Sequence, residues 1–268
     1  MRIEKPEGEL RRGWTTGACA AAATKAAFAA LRTGAFPDPV SIRLPKGETP
    51  SFALALEGRG EGWAQAGIIK DAGDDPDVTH GCTVIATVRT RGKGVTFKAG
   101  KGVGTVTRAG LPIAVGEPAI NPVPREMMRA VIEEQGGGDV EIEISIPDGE
   151  ALAQKTWNPR LGIVGGLSIL GTTGLVKPFS HDADRETIQA ALSVAASMGC
   201  RSILLSTGGK SERLARQLFP AWPDEAFVQI ADFFAFALEE GRQRSFREVV
   251  LSVFFGKALK MAQGHPHT

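Results

Sequence analysis

The pattern of apolar residues changes near residue 148, and this change constrains the fold more than any other feature of the sequence. Between residues 40 and 107, short β-type runs such as VSIRL, WAQAGII and CTVIATVRT are separated by turn clusters, which indicates a mixed or antiparallel sheet. After Pro147, helix-like and strand-like segments alternate, a pattern typical of βαβ units and a mainly parallel sheet. The sequence therefore predicts an α/β protein with two domains, an α+β domain with a mixed sheet over 1–148 and a mainly parallel α/β domain over 149–268.

The helices are predicted where alanine-rich or helix-like segments run between turn residues. The first extends over about 18–31, with Thr15 or Thr16 as its N-cap and Gly34 at its end. Its alanine stripe is expected to pack closely against a neighbour. Further helices are expected at about 125–135, 184–198, 210–218 and 232–241, and in the segment GKALKMA. Because the chain ends soon after that segment starts, we expect the second domain to be incomplete or to pack against a partner.

The composition argues against several classes of function. The formal net charge is +1, so no overall field attracts nucleic acid or an anionic membrane. No apolar run reaches 18 residues, so no membrane span is expected. The three cysteines are widely spaced and form no CxxC motif, which favours a reducing compartment and a cytoplasmic protein. The four histidines join no cysteine pair or HExxH pattern, so no protein-built metal site is expected.

The segment TGGKS at 207–211 lies where a strand of the parallel sheet ends and a helix begins. The strand RSILLS ends at Ser206, Gly208 and Gly209 form the turn, and the helix starts near Lys210. Backbone N–H groups at such a turn, together with the helix dipole, can hold an anion or a ribose-carboxylate ligand. It is not a Walker A loop, because Leu204 occupies a glycine position of that motif. A plain tight turn explains the same residues equally well.

Two other loops carry candidate ligand-binding residues. KDAGDDPDVTHG contains Asp71, Asp74, Asp75 and Asp77, which could chelate magnesium or accept hydrogen bonds from ribose or amino groups. A solvated loop is the favoured alternative, since Asp, Gly and Pro are common turn formers. GKGVGT at 100–105 differs from the dinucleotide fingerprint at its last position, and a tight turn is favoured there too.

The stretch NPRLGIVGGLSILGTTGLVKPFSHDA, at 158–183, is apolar enough for a core strand but carries five glycines. Each glycine in the interior of a strand or helix costs roughly 0.5–1 kcal/mol relative to alanine. We interpret the stretch as a junction between the domains, where glycines allow close approach of backbone and ligands.

Six motifs in this order resemble the CbiD family over residues 13–264: TTGACAAAATKAA, KDAGDDPDVTHG, GKGVGTVTRAGL, GEPAINPVPR, the 155–183 stretch that begins KTWNPR, and LLSTGGKSE. The resemblance implies S-adenosylmethionine-dependent methylation of the C-1 ring carbon of cobalt-precorrin-5B, giving cobalt-precorrin-6A in anaerobic-type cobalamin biosynthesis. It also implies that one of the two domains is Rossmann-like. Cobalt is then part of the corrinoid substrate only. We further expect a homo-oligomer or contact with other cobalamin-pathway enzymes.

The candidate site residues follow from the chemistry of that reaction. Methyl transfer from a sulfonium to an electron-rich carbon needs no strong base, so catalysis should come mainly from positioning two large ligands. The carboxylates of the macrocycle need a few cations, with Arg suited to paired hydrogen bonds. The donor-binding candidates are Gly171, Thr172, Thr173, Gly174, Ser206, Thr207, Gly208 and Gly209. The substrate-binding candidates are Lys101, Asn121, Arg125, Asn158, Arg160 and Lys177. Positioning candidates are Asp71, Asp75 and His181, and no catalytic residue is assigned.

Two other functions stay open from the residues alone. One is a magnesium-dependent enzyme that binds a nucleotide or phosphate through TGGKS and the aspartate cluster. It predicts metal-dependent binding of a nucleoside triphosphate. The other is a non-catalytic tetrapyrrole carrier, which predicts corrin binding without methyl transfer.

Overall fold

The computed structural model of the chain describes residues 8–264, which form two compact units. The first unit comprises 8–107, Pro112–Pro159 and Ile163–Phe179. The second unit comprises Arg108–Leu111, Arg160–Gly162 and 180–264. The sequence predicts a boundary near residue 148. The structure keeps Ile163–Phe179 in the first unit, because the short strands of this segment pair with strands there.

Within residues 8–264 the chain forms seven α-helices. They are α1 (Thr16–Thr33), α2 (Pro122–Glu133), α3 (Gly149–Ala153), α4 (His181–Ser197), α5 (Gly209–Leu218), α6 (Phe234–Gln243) and α7 (Phe255–Ala262). Six of them correspond to predicted helices. The second begins at Pro122 rather than near Arg125, because proline is tolerated in the first turn, where no backbone N–H is needed. The short α3 was not predicted.

A five-stranded mixed sheet is the centre of the first unit. Its strands are β4 (Leu56–Gly60), β5 (Trp63–Ile69), β6 (Thr83–Thr90), β7 (Val95–Ala99) and β10 (Val140–Ser145). They lie in the order β4-β5-β6-β10-β7, and only the β10-β7 pair is parallel. Small antiparallel strands β2 (Val40–Ser41) and β3 (Ser51–Phe52) form a separate pair. The predicted mixed sheet is therefore confirmed.

Helix α1 covers one face of this sheet. Thr15 caps it by accepting a hydrogen bond from the Ala18 N–H at 3.1 Å, and Gly34 ends it at a φ of 80°. Most of its alanines are fully buried against β5, β6 and α2, because small side chains allow close approach. In β10, buried Ile142 and Ile144 alternate with glutamates that pair with Arg and Lys on the other face.

The glycine-rich segments of the first unit form two-residue strands. These are β1 (Gly13–Trp14), β8 (Gly102–Val103), β9 (Thr105–Val106), β11 (Ile163–Val164), β12 (Gly166–Leu167) and β13 (Leu175–Val176). They pair as β1-β13, β11-β9 and β12-β8. A Cβ at Gly166 would lie 2.2 Å from the Gly102 carbonyl, so two backbones meet where neither residue can carry a side chain. The GKGVGT segment is thus a pairing segment and not a plain turn.

The second unit is built on a small parallel sheet with strands β14 (Ser202–Ser206), β15 (Phe227–Gln229) and β16 (Glu248–Ser252). The order is β15-β14-β16, with both pairs parallel. Ile203 and Leu205 of the central strand are fully buried in a core shared with α4 and α6. Leu204 faces a second cluster with Ala215 and Phe227. This unit has the alternating helix and strand order predicted for it.

Among the described residues, no helix combines the length and apolar character needed to cross a membrane. Cys19, Cys82 and Cys200 are free thiols.

Candidate active site

In the first unit, the N-terminal ends of α1 and α2 meet the glycine-rich segment 168–174. The Gly17 N–H donates to the Leu170 carbonyl at 3.0 Å, and the Leu170 N–H donates to the Thr16 hydroxyl at 3.0 Å. The Asn121 N–H donates to the Ile169 carbonyl at 2.9 Å. The segment therefore crosses the starts of both helices and ties them together.

The GTTG turn within this segment is closely packed. A Cβ at Gly171 would lie 2.4 Å from the Thr15 hydroxyl oxygen, and one at Gly174 would lie 2.6 Å from Leu44. The Thr173 hydroxyl accepts a hydrogen bond from the Leu175 N–H, and Thr172 is exposed. The close contacts with Thr15 and Leu44 therefore explain why glycine occupies positions 171 and 174. Among the donor-binding candidates of this turn, Thr172 is the exposed one.

Each carboxylate of the aspartate loop has a partner within the protein. Asp71 pairs with Arg11 at 2.5 Å and accepts the Gly73 N–H, while Asp74 accepts the Arg11 N–H. Asp75 accepts the Phe179 N–H at 2.9 Å. These bonds and the β1-β13 pair bring the positioning candidates Asp71 and Asp75 together with the segment that carries Lys177.

The fourth aspartate of the loop holds a buried lysine. Asp77 accepts a hydrogen bond from Lys70 at 2.7 Å and two from Thr79, and the Lys70 side chain is only 1% exposed. Burial raises the pKa of Asp77, but the Lys70 charge and these hydrogen bonds outweigh it and hold the pKa below its usual value. The Arg11 and Gly73 bonds lower the pKa of Asp71 to about 2. The loop is therefore an internally paired structure.

No group of three or more His, Cys, Asp or Glu side chains within residues 8–264 is arranged to hold a metal ion. The four aspartates of the cluster accept hydrogen bonds from protein groups. Burial raises the pKa of the Cys19 thiol to about 12 and that of Cys82 to about 11, so neither is poised as a thiolate at neutral pH.

The substrate-binding candidates of the first unit divide into engaged and free side chains. Arg125 donates to the Ile120 and Pro118 carbonyls at 2.8 and 3.0 Å and pairs with Glu117 at 3.1 Å. The buried Asn158 side chain donates a hydrogen bond to the Gly166 carbonyl and accepts one from the Ser168 hydroxyl. The side chains of three candidates make no hydrogen bond or ion pair with any residue in the described part of the chain: Lys101, Asn121 and Lys177.

An open cleft of about 390 Å³ lies beside α2 in the first unit. Arg125 and Arg129 both line it, and both guanidinium groups lie over the Phe97 ring, at 5.3 and 4.9 Å from its centroid. Arg129 has no hydrogen-bond partner among residues 8–264. The sequence prediction missed it, although its i+4 spacing from Arg125 places the two on one helix face.

In the second unit, the TGGKS turn is open above its glycines. A Cβ at Gly208 would meet no atom within 4 Å, and one at Gly209 would meet only Gln229 at 3.9 Å. Ser206 is fully buried at the end of β14, and the Ser211 hydroxyl donates to the Gly208 carbonyl at 2.9 Å. No side chain caps the start of α5. The turn thus has the open backbone predicted for a ligand-binding loop.

Just below this turn, Glu212 receives four hydrogen bonds and is 3% exposed. Arg160 donates to both carboxylate oxygens at 2.8 and 3.0 Å, Gln229 donates at 2.8 Å and Arg216 at 2.9 Å. Burial raises the pKa of Glu212, but these hydrogen bonds outweigh burial and hold the pKa below its usual value. Arg160 therefore directs its paired donors at an internal carboxylate.

His181 is the first residue of α4, and its ring makes an edge-on contact with Phe233 at 5.5 Å between centroids. Ser180 caps the same helix by accepting the Asp182 N–H. His181 therefore lies at the start of a helix, and its ring packs against Phe233.

Comparison with known proteins gives one consistent family. The sequence profile of the family described as CbiD matches residues 3–178. The cobalt-precorrin-5B C(1)-methyltransferase of Brucella anthropi is 56% identical over 265 residues, which cover 96% of this chain and 72% of that protein. The protein with the same name from Brucella canis is 55% identical over 269 residues, covering 97% and 73%. The resemblance predicted from the six motifs is confirmed.

A solved structure is also similar. It is the 1.9 Å crystal structure of the cobalamin biosynthesis protein (cbiD) from Archaeoglobus fulgidus. It is 29% identical, with a TM-score of 0.51, over 98% of this chain and 83% of that one. The similarity therefore extends over both units, whereas the family profile ends at the close of the first.

Proposed function

The chain belongs to the CbiD family, and from this premise we propose that it is a methyltransferase acting on the C-1 ring carbon of cobalt-precorrin-5B. The observation that carries the proposal is the 55–56% identity to proteins of that name across 96–97% of the chain. The product would be cobalt-precorrin-6A, in the anaerobic type of cobalamin biosynthesis. Cobalt enters with the substrate and is not a resident metal.

We propose S-adenosylmethionine as the methyl donor, bound at the TGGKS turn of a Rossmann-like second unit. The parallel sheet with order β15-β14-β16 supports this assignment, since ligands of such sheets bind beyond the carboxyl ends of the strands. The open space over Gly208 and Gly209 fits a ligand that approaches the backbone closely. The GTTG turn is less suited, because its glycines already face Thr15 and Leu44.

The macrocycle is a flat ring fringed with carboxylates. Lys101, Lys177 and Arg129 have charged groups that make no ion pair within residues 8–264, and they are the cations we assign to those carboxylates. Asn121 is the neutral candidate. Arg125, Asn158 and Arg160 are engaged with protein groups, so we assign them the task of holding loops in place. We propose that Asp71 and Asp75 also hold loops in place. His181 has a structural position at the start of α4 and is assigned no role in ligand binding.

Positioning is the main contribution of the protein to this reaction. S-adenosylmethionine would supply a methyl group on a positively charged sulfur, to be accepted by an electron-rich ring carbon. The residues of the chain then bind and orient the two molecules and exclude water between them. Effects of this kind can reach about 7–11 kcal/mol in favourable cases. No side chain needs to act as a strong base.

The direct test is incubation of the protein with methyl-labelled S-adenosylmethionine and the cobalt-corrinoid substrate, followed by mass analysis of the product. A gain of one methyl group at C-1 is expected. Tight corrinoid binding without methyl gain would favour the carrier alternative instead.

The donor site is tested with Gly209→Val. An added side chain at Gly209 meets open space, so the fold should persist while the ligand is blocked. Calorimetric titration is expected to show loss of S-adenosylhomocysteine binding. Gly241→Ala is the matched control, because a Cβ there meets Ile203 at an ordinary 3.6 Å. Unchanged affinity in Gly209→Val would place the donor elsewhere.

Metal removal separates the methyltransferase from the magnesium-dependent alternative. S-adenosylhomocysteine should bind equally well with and without a chelator, since the proposed donor site binds through backbone N–H groups and uses no metal ion. Magnesium-dependent binding of a nucleoside triphosphate would contradict the proposal. A cytoplasmic location, a homo-oligomer and contacts with other enzymes of the pathway stay predictions of the sequence.

A further inference from the structure

The strand order of the second unit contains a topological switch point. The chain forms the central strand β14, continues to β15 on one side, and then crosses to β16 on the other side. In sheets of this type the loops after the two diverging strands leave a crevice between them, and ligands bind there. The crevice of this unit lies between the loops that follow β14 and β16.

These two loops start side by side. Ser206 pairs with Ser252 at the ends of the two parallel strands. The Ser252 hydroxyl donates to the Ser211 carbonyl at 3.0 Å, which joins the end of β16 to the first turn of α5. The TGGKS turn and the connection from β16 to α7 are therefore adjacent walls of one crevice.

The second wall carries two exposed aromatic side chains. Phe254 is 49% exposed and Phe255 is 83% exposed. Phe254 is the N-cap and Phe255 the first residue of α7, and only Val253 separates them from the end of β16, where the sheet presents its ligand-binding end. The next residue, Gly256, leaves this wall open, because a Cβ there would meet no atom within 4 Å. A large apolar surface at this place is suited to a flat apolar group.

We propose that Phe255, with Phe254 beside it, is the binding surface for the adenine ring of the methyl donor. The inference rests on the proposed function and adds to it the residues that recognise the base. Adenine has an apolar face that stacks on aromatic rings, and the TGGKS backbone of the adjacent loop suits the polar ribose and amino-acid parts. An adenosyl compound is thus the ligand class that matches both walls.

The test measures binding to Phe255→Ala by calorimetric titration with S-adenosylhomocysteine and, separately, with adenosine. Loss of one stacking contact should weaken both affinities by about tenfold or more. Phe255→Trp should restore them, because tryptophan offers a larger ring. Leu218→Ala is the matched control, since Leu218 is 77% exposed at the opposite end of α5 and should leave binding unchanged.

Each outcome supports or overturns the proposal. Equal affinities in Phe255→Ala and the parent protein would overturn it while leaving the methyltransferase assignment intact, and would point to a protein segment as the cover of this wall. Failure of the parent protein to bind S-adenosylhomocysteine would overturn the donor site and this inference together. A circular dichroism melt confirms folding of each variant, which is expected because Phe255 is largely outside the core.

Discussion

At the scale of single residues, Glu212 determines whether neighbouring side chains are available to bind a ligand. Its two oxygens accept four hydrogen bonds, from Arg160, Gln229 and Arg216, which uses all the acceptor capacity of a carboxylate. It therefore cannot bind a ligand, and it withdraws Arg160 from ligand binding. Its role is to connect the segment at Arg160 and the end of β15 to the first turn of α5, directly below the TGGKS turn.

Replacement of Glu212 by Gln should destabilise the second unit. One oxygen becomes a donor facing other donors, and Arg160 and Arg216 lose the charge of this carboxylate, although Arg216 keeps its ion pair with Asp224. Loss of hydrogen bonds to a charged group typically costs about 1.5–3 kcal/mol. Chemical denaturation should therefore show a fall of about 2 kcal/mol in the free energy of unfolding.

The control for this change is Glu239→Gln. Glu239 pairs with Arg242 on the exposed face of α6, where solvent weakens ion pairs. Little change in unfolding free energy is expected there. Equal losses of unfolding free energy in the two variants would show that the hydrogen bonds of Glu212 stabilise the protein no more than an exposed ion pair does.

The pH dependence of stability should reveal the same carboxylate. Because the folded-state pKa of Glu212 is below its usual value, its contribution is present above the unfolded pKa of about 4.3 and lost as the pH falls through the folded value. The difference in melting temperature between the parent protein and Glu212→Gln should be largest near pH 7 and shrink below about pH 5. A constant difference from pH 7 to pH 3 would contradict this account.

At the scale of elements, the glycine-rich segments of the first unit behave as backbone contacts. Strands β8 and β12 pair through Gly102 and Gly166, and α3 also meets Gly102 through Gly149. Contacts this close leave no room for a Cβ. The glycine content of these segments is therefore explained by packing between elements that are distant in the sequence.

Gly166→Ala should be among the most harmful small substitutions in the chain. Its methyl group would lie 2.2 Å from the Gly102 backbone, so β8 and β12 must separate. A loss of more than about 3 kcal/mol of unfolding free energy is expected from this overpacking. Gly138→Ala is the control, because a Cβ there lies at an ordinary 3.4 Å from Phe28. Thermal denaturation that fails to distinguish the two variants would disprove the close-contact explanation.

Elements with a strong local pattern could be predicted from the sequence. Helix α1 was expected at 18–31 and spans Thr16–Thr33, because alanine propensity and the Thr15 and Gly34 caps are local signals. The two-residue strands of the glycine-rich segments could not be predicted. Their pairing depends on backbones far apart in the sequence, such as Gly102 with Gly166 and Gly13 with Val176, and two residues are too few to show a period.

The candidate site was predictable where chemistry depends on local backbone, and not where it depends on distant partners. The open turn at Gly208 and Gly209 follows from a strand, a glycine pair and a helix in succession. The partner of Arg160 is 52 residues away, so nothing in its own neighbourhood indicated that it would be engaged. The position of the Phe255 loop beside the TGGKS turn likewise depends on the sheet order.

At the scale of the whole molecule, the described residues have a separate core in each unit. One core surrounds α1 and the mixed sheet, and others surround the parallel sheet. Differential scanning calorimetry is therefore expected to give a calorimetric enthalpy larger than the van't Hoff enthalpy, the sign of more than one cooperative step. A ratio of one would show that the chain unfolds as a single cooperative block.

The backbone contact between Gly102 and Gly166 also bears on how the family can diverge. These glycines are required for folding whether or not the protein transfers a methyl group. Gly209, which has open space above it and no positive φ, is under no such steric demand. A relative that has lost its enzymatic activity during evolution should therefore keep Gly102 and Gly166 and accumulate larger residues at the position of Gly209, so these positions together distinguish working enzymes from inactive descendants.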